Sequence, residues 1–576
     1  MRRADVRRAP LSARAFAAVL VALALAGGCV TPSQPTDAAD AGGGGGGGSS
    51  ADVALDGAGD ESAEAGADES AEEAADESAE VDADPGESAP PVPFVPPDPP
   101  PGRDALVAHA GALVAGALAN AEDGQIAVLV VDEHGRELVA HEPDTPVLPA
   151  STLKVVTAAA VLTTLGASGR LTTRVESTAP IDADGAIEGD LVLVGGGDPV
   201  LATAEYGRWV YPARPRTPLE TLADAVVEAG VRTINGDVVG VATAFTGPHR
   251  AQGWPDRYFS DFDARYGDLL TIDGGLRTLV TYPEPEEDDD ADDDVDDDVE
   301  PSESDDADPP VEPAADGDDD TEDLGPPTVR VEHVEQPAIH AASELVRLLA
   351  ERDVEVAGEA RSGEPAGRIV GRLASVESPP LDELLRFAVQ RSDNQLTDGL
   401  FLAMARARTG VASWEQGDRA VRQVLDRFGI DHTGARFADG SGLSRDDRVT
   451  VRMLVELDRA MLASRHGTTW KSLMAVMGES GTLERRLRGT PAQGRFFGKT
   501  GTLRDVSALS GSVVGDAGGR YHLAVVANAA GQARWISRAL VDELILLLVA
   551  DLEGCAVGDA GEDDGPLGRP PLAIAC

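Results

Sequence analysis

Residues 151 to 165 read Ser-Thr-Leu-Lys-Val-Val-Thr-Ala-Ala-Ala-Val-Leu-Thr-Thr-Leu, with Pro149 just before them and Gly166 just after. A helix is predicted here, and Val155, Val156, Ala158, Ala159, Val161 and Leu162 make it apolar nearly all the way round. Such a helix has no face fit for water, so it must sit at the centre of a domain with structure on every side. The neighbouring segments can supply those layers. Leu106, Val107, Ala110, Leu113, Val114 and Leu118 recur at helical spacing in a predicted helix over 104–121. Residues 126–132 and 137–142 read as two strands of a hairpin around His134-Gly135-Arg136. After Pro380 the helical pattern returns at 381–391, 397–409 and 414–428, followed by strands at 496–503, 507–514 and 521–528 and a closing helix at 535–551. The expectation is an α/β chain of the α+β kind, with a five-stranded antiparallel sheet sandwiched between helices.

Between 171 and 372 the texture changes to short strands and turns around Gly195-Gly196-Gly197-Asp198-Pro199, with helices predicted only near 219–229 and 340–352. This stretch reads as a large, mostly β domain inserted into the sandwich. Two other stretches hold too little apolar surface to offset the entropy of ordering them. Residues 30–103 contain a seven-glycine run and a proline-rich end, and residues 284–323 hold 24 carboxylates without one lysine or arginine. The expected organisation is therefore an N-terminal segment at 1–29, a disordered tether at 30–103, the sandwich domain at 104–171 plus 372–550, an inserted domain at 172–371 carrying the disordered acidic insertion 284–323, and a tail at 551–576. The formal net charge of −53 belongs mostly to the disordered parts: the tether holds 18 carboxylates and the acidic insertion 24, leaving 59 carboxylates elsewhere against the 48 basic residues of the whole chain. Blocks of like charge of this kind are solvated and self-repelling, and they argue against a nucleic-acid partner.

The N-terminus has the form of an export signal, with arginines at 2, 3, 7, 8 and 14 ahead of an apolar run from Ala15 to Ala26 that is too short to remain as a membrane span. Leu25-Ala26-Gly27-Gly28-Cys29 resembles a bacterial lipoprotein processing site, which would make a lipid-modified Cys29 the mature N-terminus and tie the protein to a membrane. The other two cysteines, Cys555 and Cys576, lie in the tail and can pair in an oxidising compartment. Neither they nor the nine scattered histidines suggest a metal site, and no cofactor is expected.

Only three of the 48 basic residues are lysines: Lys154, Lys471 and Lys499. Lysine can lose its proton when desolvated and act as a base, which arginine cannot. Lys154 stands three residues after Ser151 at the start of the buried helix, so the two side chains share one face. As an ordinary helix start this fits poorly, because the helix dipole disfavours a cation in the first turn. As chemistry it fits well: a desolvated Lys154 close to a second ammonium can take the Ser151 proton, and the Ser151 backbone N–H can help to form an oxyanion hole. Ser392-Asp393-Asn394 lies between two predicted helices and offers a hydroxyl and an amide. Lys499-Thr500-Gly501-Thr502 falls on a predicted edge strand, where Gly501 would let a substrate backbone approach and pair. Each of the last two is weak alone, since such residues are more often turns, caps or strand charges.

Ser-x-x-Lys, Ser-Asp-Asn and Lys-Thr-Gly in this order make a specific combination, that of active-site serine enzymes that react with β-lactams. On these residues the chain resembles the penicillin-binding proteins and β-lactamases. About 240 residues between the first two motifs, together with Gly195 to Pro199, Asp439-Gly440-Ser441-Gly442-Leu443-Ser444 and Gly481-Thr482-Leu483, resemble the penicillin-binding protein 4 type, the DacB family of D-alanyl-D-alanine carboxypeptidases and endopeptidases. The resemblance implies a β-lactamase/transpeptidase-like catalytic domain and a serine D,D-peptidase acting on peptidoglycan stem peptides, with β-lactams as covalent inhibitors. It implies Ser151 as the acylated nucleophile, Lys154 as its base, Ser392 as a proton relay to the leaving D-alanine, and Asn394 as a hydrogen-bond partner of the substrate backbone. Lys499, Thr500 and Thr502 would hold the terminal carboxylate, and the N–H groups of Ser151 and Thr502 would form the oxyanion hole. No glutamate stands where class A β-lactamases keep a separate deacylating base, so a penicilloyl adduct should leave slowly. Where the family often has Asp-x-Ser-x-Phe in the inserted domain, this chain has Val241-Ala242-Thr243-Ala244-Phe245, without a carboxylate. The alternatives are a β-lactamase-like hydrolase, which would turn penicillin over rapidly, and a cell-wall lipoprotein that binds peptide without being acylated. The expected place is the periplasm or cell envelope.

Overall fold

The computed structural model describes residues 103–121, 125–242, 244–281, 327–528, 532–559 and 565–576. The expected signal peptide with Cys29, the tether up to residue 102 and the acidic insertion 284–323 lie outside the described residues. The centre of the fold is an antiparallel sheet whose strands in chain order are β1 (Gln125–Asp132), β2 (Glu137–His141), β3 (Ala475–Val476), β4 (Phe496–Leu503), β5 (Val506–Val514) and β6 (Arg520–Asn528). Their spatial order is β3-β4-β5-β6-β1-β2. Six strands stand where five are expected. The extra one, β3, is two residues long and pairs only with Phe497 and Gly498, too short to show any period in sequence.

The sheet is buried on both faces, which explains why β1 reads as a continuous apolar run. Its side chains still alternate: Ala127, Leu129 and Val131 join one core, Ile126, Val128 and Val130 the other. The second core is closed by helices α1 (Asp104–Asn120) and a C-terminal helix, Gln532–Glu553. A disulfide between Cys555 and Cys576 fastens the tail beyond that helix, where two short strands, Ala556–Asp559 and Leu572–Ala575, pair. The first core surrounds α2 (Leu153–Leu165), and every residue of α2 from Leu153 to Leu162 is buried. Helices α3 (Leu381–Arg391), α4 (Asn394–Thr409), α5 (Trp414–Arg427) and α6 (Val451–Ala463) enclose it. Burying one valine or leucine contributes roughly 1.5–3 kcal/mol, so the apolar girdle of α2 fixes the position of the residues at its N-terminus. Helix α6, capped by the Thr450 side chain, and a short helix at Gly467–Leu473 lie in a stretch for which no element is expected from sequence.

Residues 172 to 377 build a separate sheet in the order Ala360–Ser362, Val238–Val241, Leu191–Val194, Thr172–Ser177, Gly371–Glu377, with both parallel and antiparallel pairs. Helices Glu220–Glu228 and Pro337–Ala350 pack on it around a third core. Its last strand crosses the expected boundary at residue 372.

Candidate active site

Ser151 does not lie in α2 itself. It stands in a single 3-10 turn, Ala150–Thr152, that leads into the helix, and no side chain caps the turn. Ala150 is left-handed, with φ 48°. A non-glycine residue held there costs about 1–2 kcal/mol, strain that must be maintained by the surroundings. Two close contacts maintain it. A Cβ on Gly442, which has φ +85°, would lie 1.9 Å from Ala150 O, and one on Gly501 would lie 2.7 Å from Pro149 O and 3.1 Å from Thr152 N. The glycine of Lys-Thr-Gly is therefore required by the chain's own turn.

Lys154 is completely buried beneath this turn. Its Nζ lies 2.7 Å from Asn394 Oδ1, 2.7 Å from the Ser441 carbonyl oxygen and 3.1 Å from Ser151 Oγ. The first two partners can only accept, so they take two N–H groups. The third direction, the longest, points at a hydroxyl that can either accept or donate. With Lys154 neutral, its lone pair is left for the Ser151 hydroxyl proton. Burial drives the ammonium down to about 8, although the carboxylates of Asp398, Asp439, Asp393 and Asp447 pull the other way.

Ser441 O is held in place by a loop wrapped around Asp439. Asp439 Oδ1 accepts from the N–H groups of Ser441 and Gly442 at 3.0 and 2.7 Å, and Oδ2 accepts from Ser444 N at 2.7 Å and Trp254 Nε1 at 2.6 Å. Asp398 Oδ1 accepts from Gly440 N at 2.9 Å. Burial pushes the carboxyls of both Asp398 and Asp447 well above the usual range.

The second lysine, Lys499, is also fully buried, on β4. It donates to Ser392 Oγ at 2.9 Å and to Thr500 O at 2.8 Å. Burial, and then the nearby Lys154, hold it well below the ordinary lysine value. The two ammonium groups disfavour each other's charge, and around Lys154 four carboxylates oppose the effect of burial. Ser392 is the left-handed C-cap of α3, with φ 59° and ψ 39°, and Asp393 caps α4 by accepting from Leu396 N. The structure therefore brings these residues together as two adjoining hydrogen-bonded groups, Ser151–Lys154–Asn394 and Ser392–Lys499, linked by the Ser392–Asn394 turn. Thr500 joins it at the edge, donating to Thr482 Oγ1 at 2.7 Å, while Thr502 is exposed on the same strand opposite Ser507. Beyond β3 the remainder of β4 has no strand on that side among the described residues. Ser151, Ser392, Asn394 and Thr500 are only half-buried, so the reactive oxygens can be reached. Thr482, the Ser441 carbonyl and the Asp439 cradle join the site from segments whose sequence offers only family-like markers. Among the described residues no cluster of three or more His, Cys, Asp or Glu is placed to hold a metal ion.

Residues 112–544 match the D-Ala-D-Ala carboxypeptidase 3 (S13) family. The chain belongs to that family. It is accordingly a D-Ala-D-Ala carboxypeptidase-type serine peptidase. It is 31% identical over 427 residues to the D-alanyl-D-alanine carboxypeptidase of Actinomadura sp. (strain R39), covering 68% of this chain and 75% of that one. It is 31% identical over 455 residues to carboxypeptidase DacB of Mycolicibacterium smegmatis, covering 77% of this chain and 84% of the relative. The fold matches that of penicillin binding protein 4 (dacB) from Haemophilus influenzae with a TM-score of 0.59 at 22% identity, over 76% of this chain and 99% of that one. A structure of the same protein complexed with a β-lactam matches with a TM-score of 0.53.

Proposed function

We propose that this S13 enzyme removes or cleaves at D-alanine in peptidoglycan stem peptides through an acyl-enzyme on Ser151. The observation that carries the proposal is the three-way bonding of Lys154, whose two acceptor-only partners leave its lone pair to Ser151 Oγ. In acylation Ser151 Oγ attacks the penultimate D-alanine carbonyl and passes its proton to Lys154 Nζ. The new ester C–O bond replaces the C–N bond to the terminal residue, and D-alanine leaves with a proton delivered through Ser392, which Lys499 orients. Water then hydrolyses the ester. The N–H groups of Ser151 and Thr502 are the proposed oxyanion donors. Lys499, Thr500 and Thr502 receive the terminal carboxylate; because no carboxylate of the described residues bonds Lys499, the substrate brings the counter-charge. Asn394 Nδ2 now donates to Asp263 O at 3.1 Å, so a substrate backbone must compete with that carbonyl.

The same chemistry predicts a penicilloyl adduct on Ser151 that leaves slowly. The catalytic residues are assigned to 104–171 plus 372–550, with 172–371 as the insertion. We also propose export to the cell envelope and a lipid anchor at Cys29; no helix of the described residues is long and apolar enough to cross a membrane. Incubation with a peptide ending in D-Ala-D-Ala tests the activity. Release of free D-alanine by the unchanged protein and none by Ser151→Ala is expected. Equal release by both proteins would refute the assignment.

A further inference from the structure

Arg214 lies in the inserted segment, far in sequence from every motif of the site, yet its side chain is only 5% exposed. Its Nη1 donates to Tyr206 Oη at 3.2 Å and its Nη2 to Pro199 O at 3.2 Å, which anchors the guanidinium within the insertion. Its other contacts reach across to the turn that opens α4. Nη2 also donates to Gln395 Oε1, and Nε lies 3.6 Å from Asp393 Oδ2. Asp393 and Gln395 are the two neighbours of Asn394, and Ser392 precedes them in its left-handed conformation. Among the described residues neither Arg214 Nε nor Asp393 Oδ2 has a hydrogen-bond partner, so this buried ion contact is their main local compensation.

We propose that Arg214 is a positioning residue for acyl transfer: gripping both sides of Asn394, it fixes the Ser392–Gln395 turn so that Ser392 Oγ meets Lys499 and Asn394 Oδ1 meets Lys154. The inserted segment thereby contributes to the catalytic geometry. This inference rests on the acyl-enzyme reading above. Its chemical logic is that of orientation, where a displacement of about 1 Å can cost about 100-fold in rate.

The test is a double-mutant cycle on the rate of acylation by a penicillin, normalised to folded protein by circular dichroism. Arg214→Met should acylate about 100-fold more slowly than the unchanged protein. In an Asn394→Ala background the same substitution should cost clearly less than about 100-fold, because one of the two contacts it positions is gone and only that of Ser392 remains. Gln395→Ala, which removes one of the two grips, should show a smaller loss with the same non-additivity. A folded Arg214→Met that acylates at the original rate, or losses that simply add, would overturn the proposal. If Arg214→Met does not fold, a full acylation rate for Gln395→Ala overturns it and a non-additive loss supports it. Failure of the unchanged protein to be acylated would refute the acyl-enzyme reading instead.

Discussion

The ionisation of Lys154 gives the most quantitative consequence of this site. Burial holds that amine at about 8 in place of 10.5. At pH 7 about one Lys154 in ten is then neutral, against about one in 3000 for an ordinary lysine. If the neutral amine is the base for Ser151, the acylation rate at saturating penicillin follows this fraction. It should rise about tenfold from pH 6 to 7, about 50-fold from pH 6 to 8, and level off above pH 9. Saturation matters, because in the proposed mechanism Lys499 receives the ligand carboxylate and its own titration would otherwise enter through binding. Rapid-mixing measurements with a fluorescent penicillin from pH 5.5 to 9.5 provide the profile. Lys154→Arg serves as the control: its guanidinium stays charged throughout, so the rate should fall severely and the rising limb should disappear. A flat profile between pH 6 and 9, or an unchanged limb in Lys154→Arg, would refute the role of Lys154 as base.

Other consequences concern the support of the site. Gly442→Ala puts a Cβ within 1.9 Å of Ala150 O, so it should displace the Ser151 turn and slow penicillin acylation more than it lowers the melting temperature. Asp458 is buried and bonded by Trp470 Nε1 at 2.8 Å, His522 Nδ1 at 2.8 Å and Ser512 Oγ. Asp458→Ala leaves those donors unpaired and should cost about 3–5 kcal/mol in urea unfolding. Burial alone would raise the Asp458 carboxyl, but these bonds bring it below its ordinary value. Its contribution is therefore present above the unfolded carboxyl range near pH 4 and is lost as pH falls through the lower folded value, which acid titration of Asp458→Asn against the unchanged protein would reveal. Breaking the Cys555–Cys576 link, which closes a span of 21 residues, should lower stability by about 3 kcal/mol in denaturant titration of Cys555→Ser.

The parts of the fold legible in sequence were those with long periodic patterns. Helix α2, the hairpin of β1 and β2, and strands β4 to β6 lie close to their expected positions because each buries a continuous or alternating apolar surface. Strand β3 has two residues and no pattern to read. Helix α6 is a different case, since its signal is present: Thr450 before it accepts from Met453 N, and Val451, Leu454, Val455 and Leu457 are buried on its inner side. The three motifs announced the side chains at the centre of the site, and the scarcity of lysine set Lys154 and Lys499 apart. What surrounds them was not legible, because it is made by contacts between distant segments. The Ser441 carbonyl meets Lys154 across 287 residues, and Arg214 meets Gln395 across 181. No local propensity records which carbonyl or guanidinium a fold will carry to such a place. The electrostatics illustrate the same limit: the sequence suggests a second ammonium beside Lys154, but not the four aspartates that the fold gathers around it.

The most direct test of the account is intact-protein mass spectrometry of residues 104–576 over time after addition of a penicillin, with Ser151→Ala measured alongside. The account predicts one persistent penicilloyl adduct on the unchanged protein and none on the variant. An adduct that disappears in seconds while penicillin is consumed would contradict the slow release expected of a D,D-peptidase, and no adduct on a folded protein, or an equal one on Ser151→Ala, would contradict acyl transfer through Ser151.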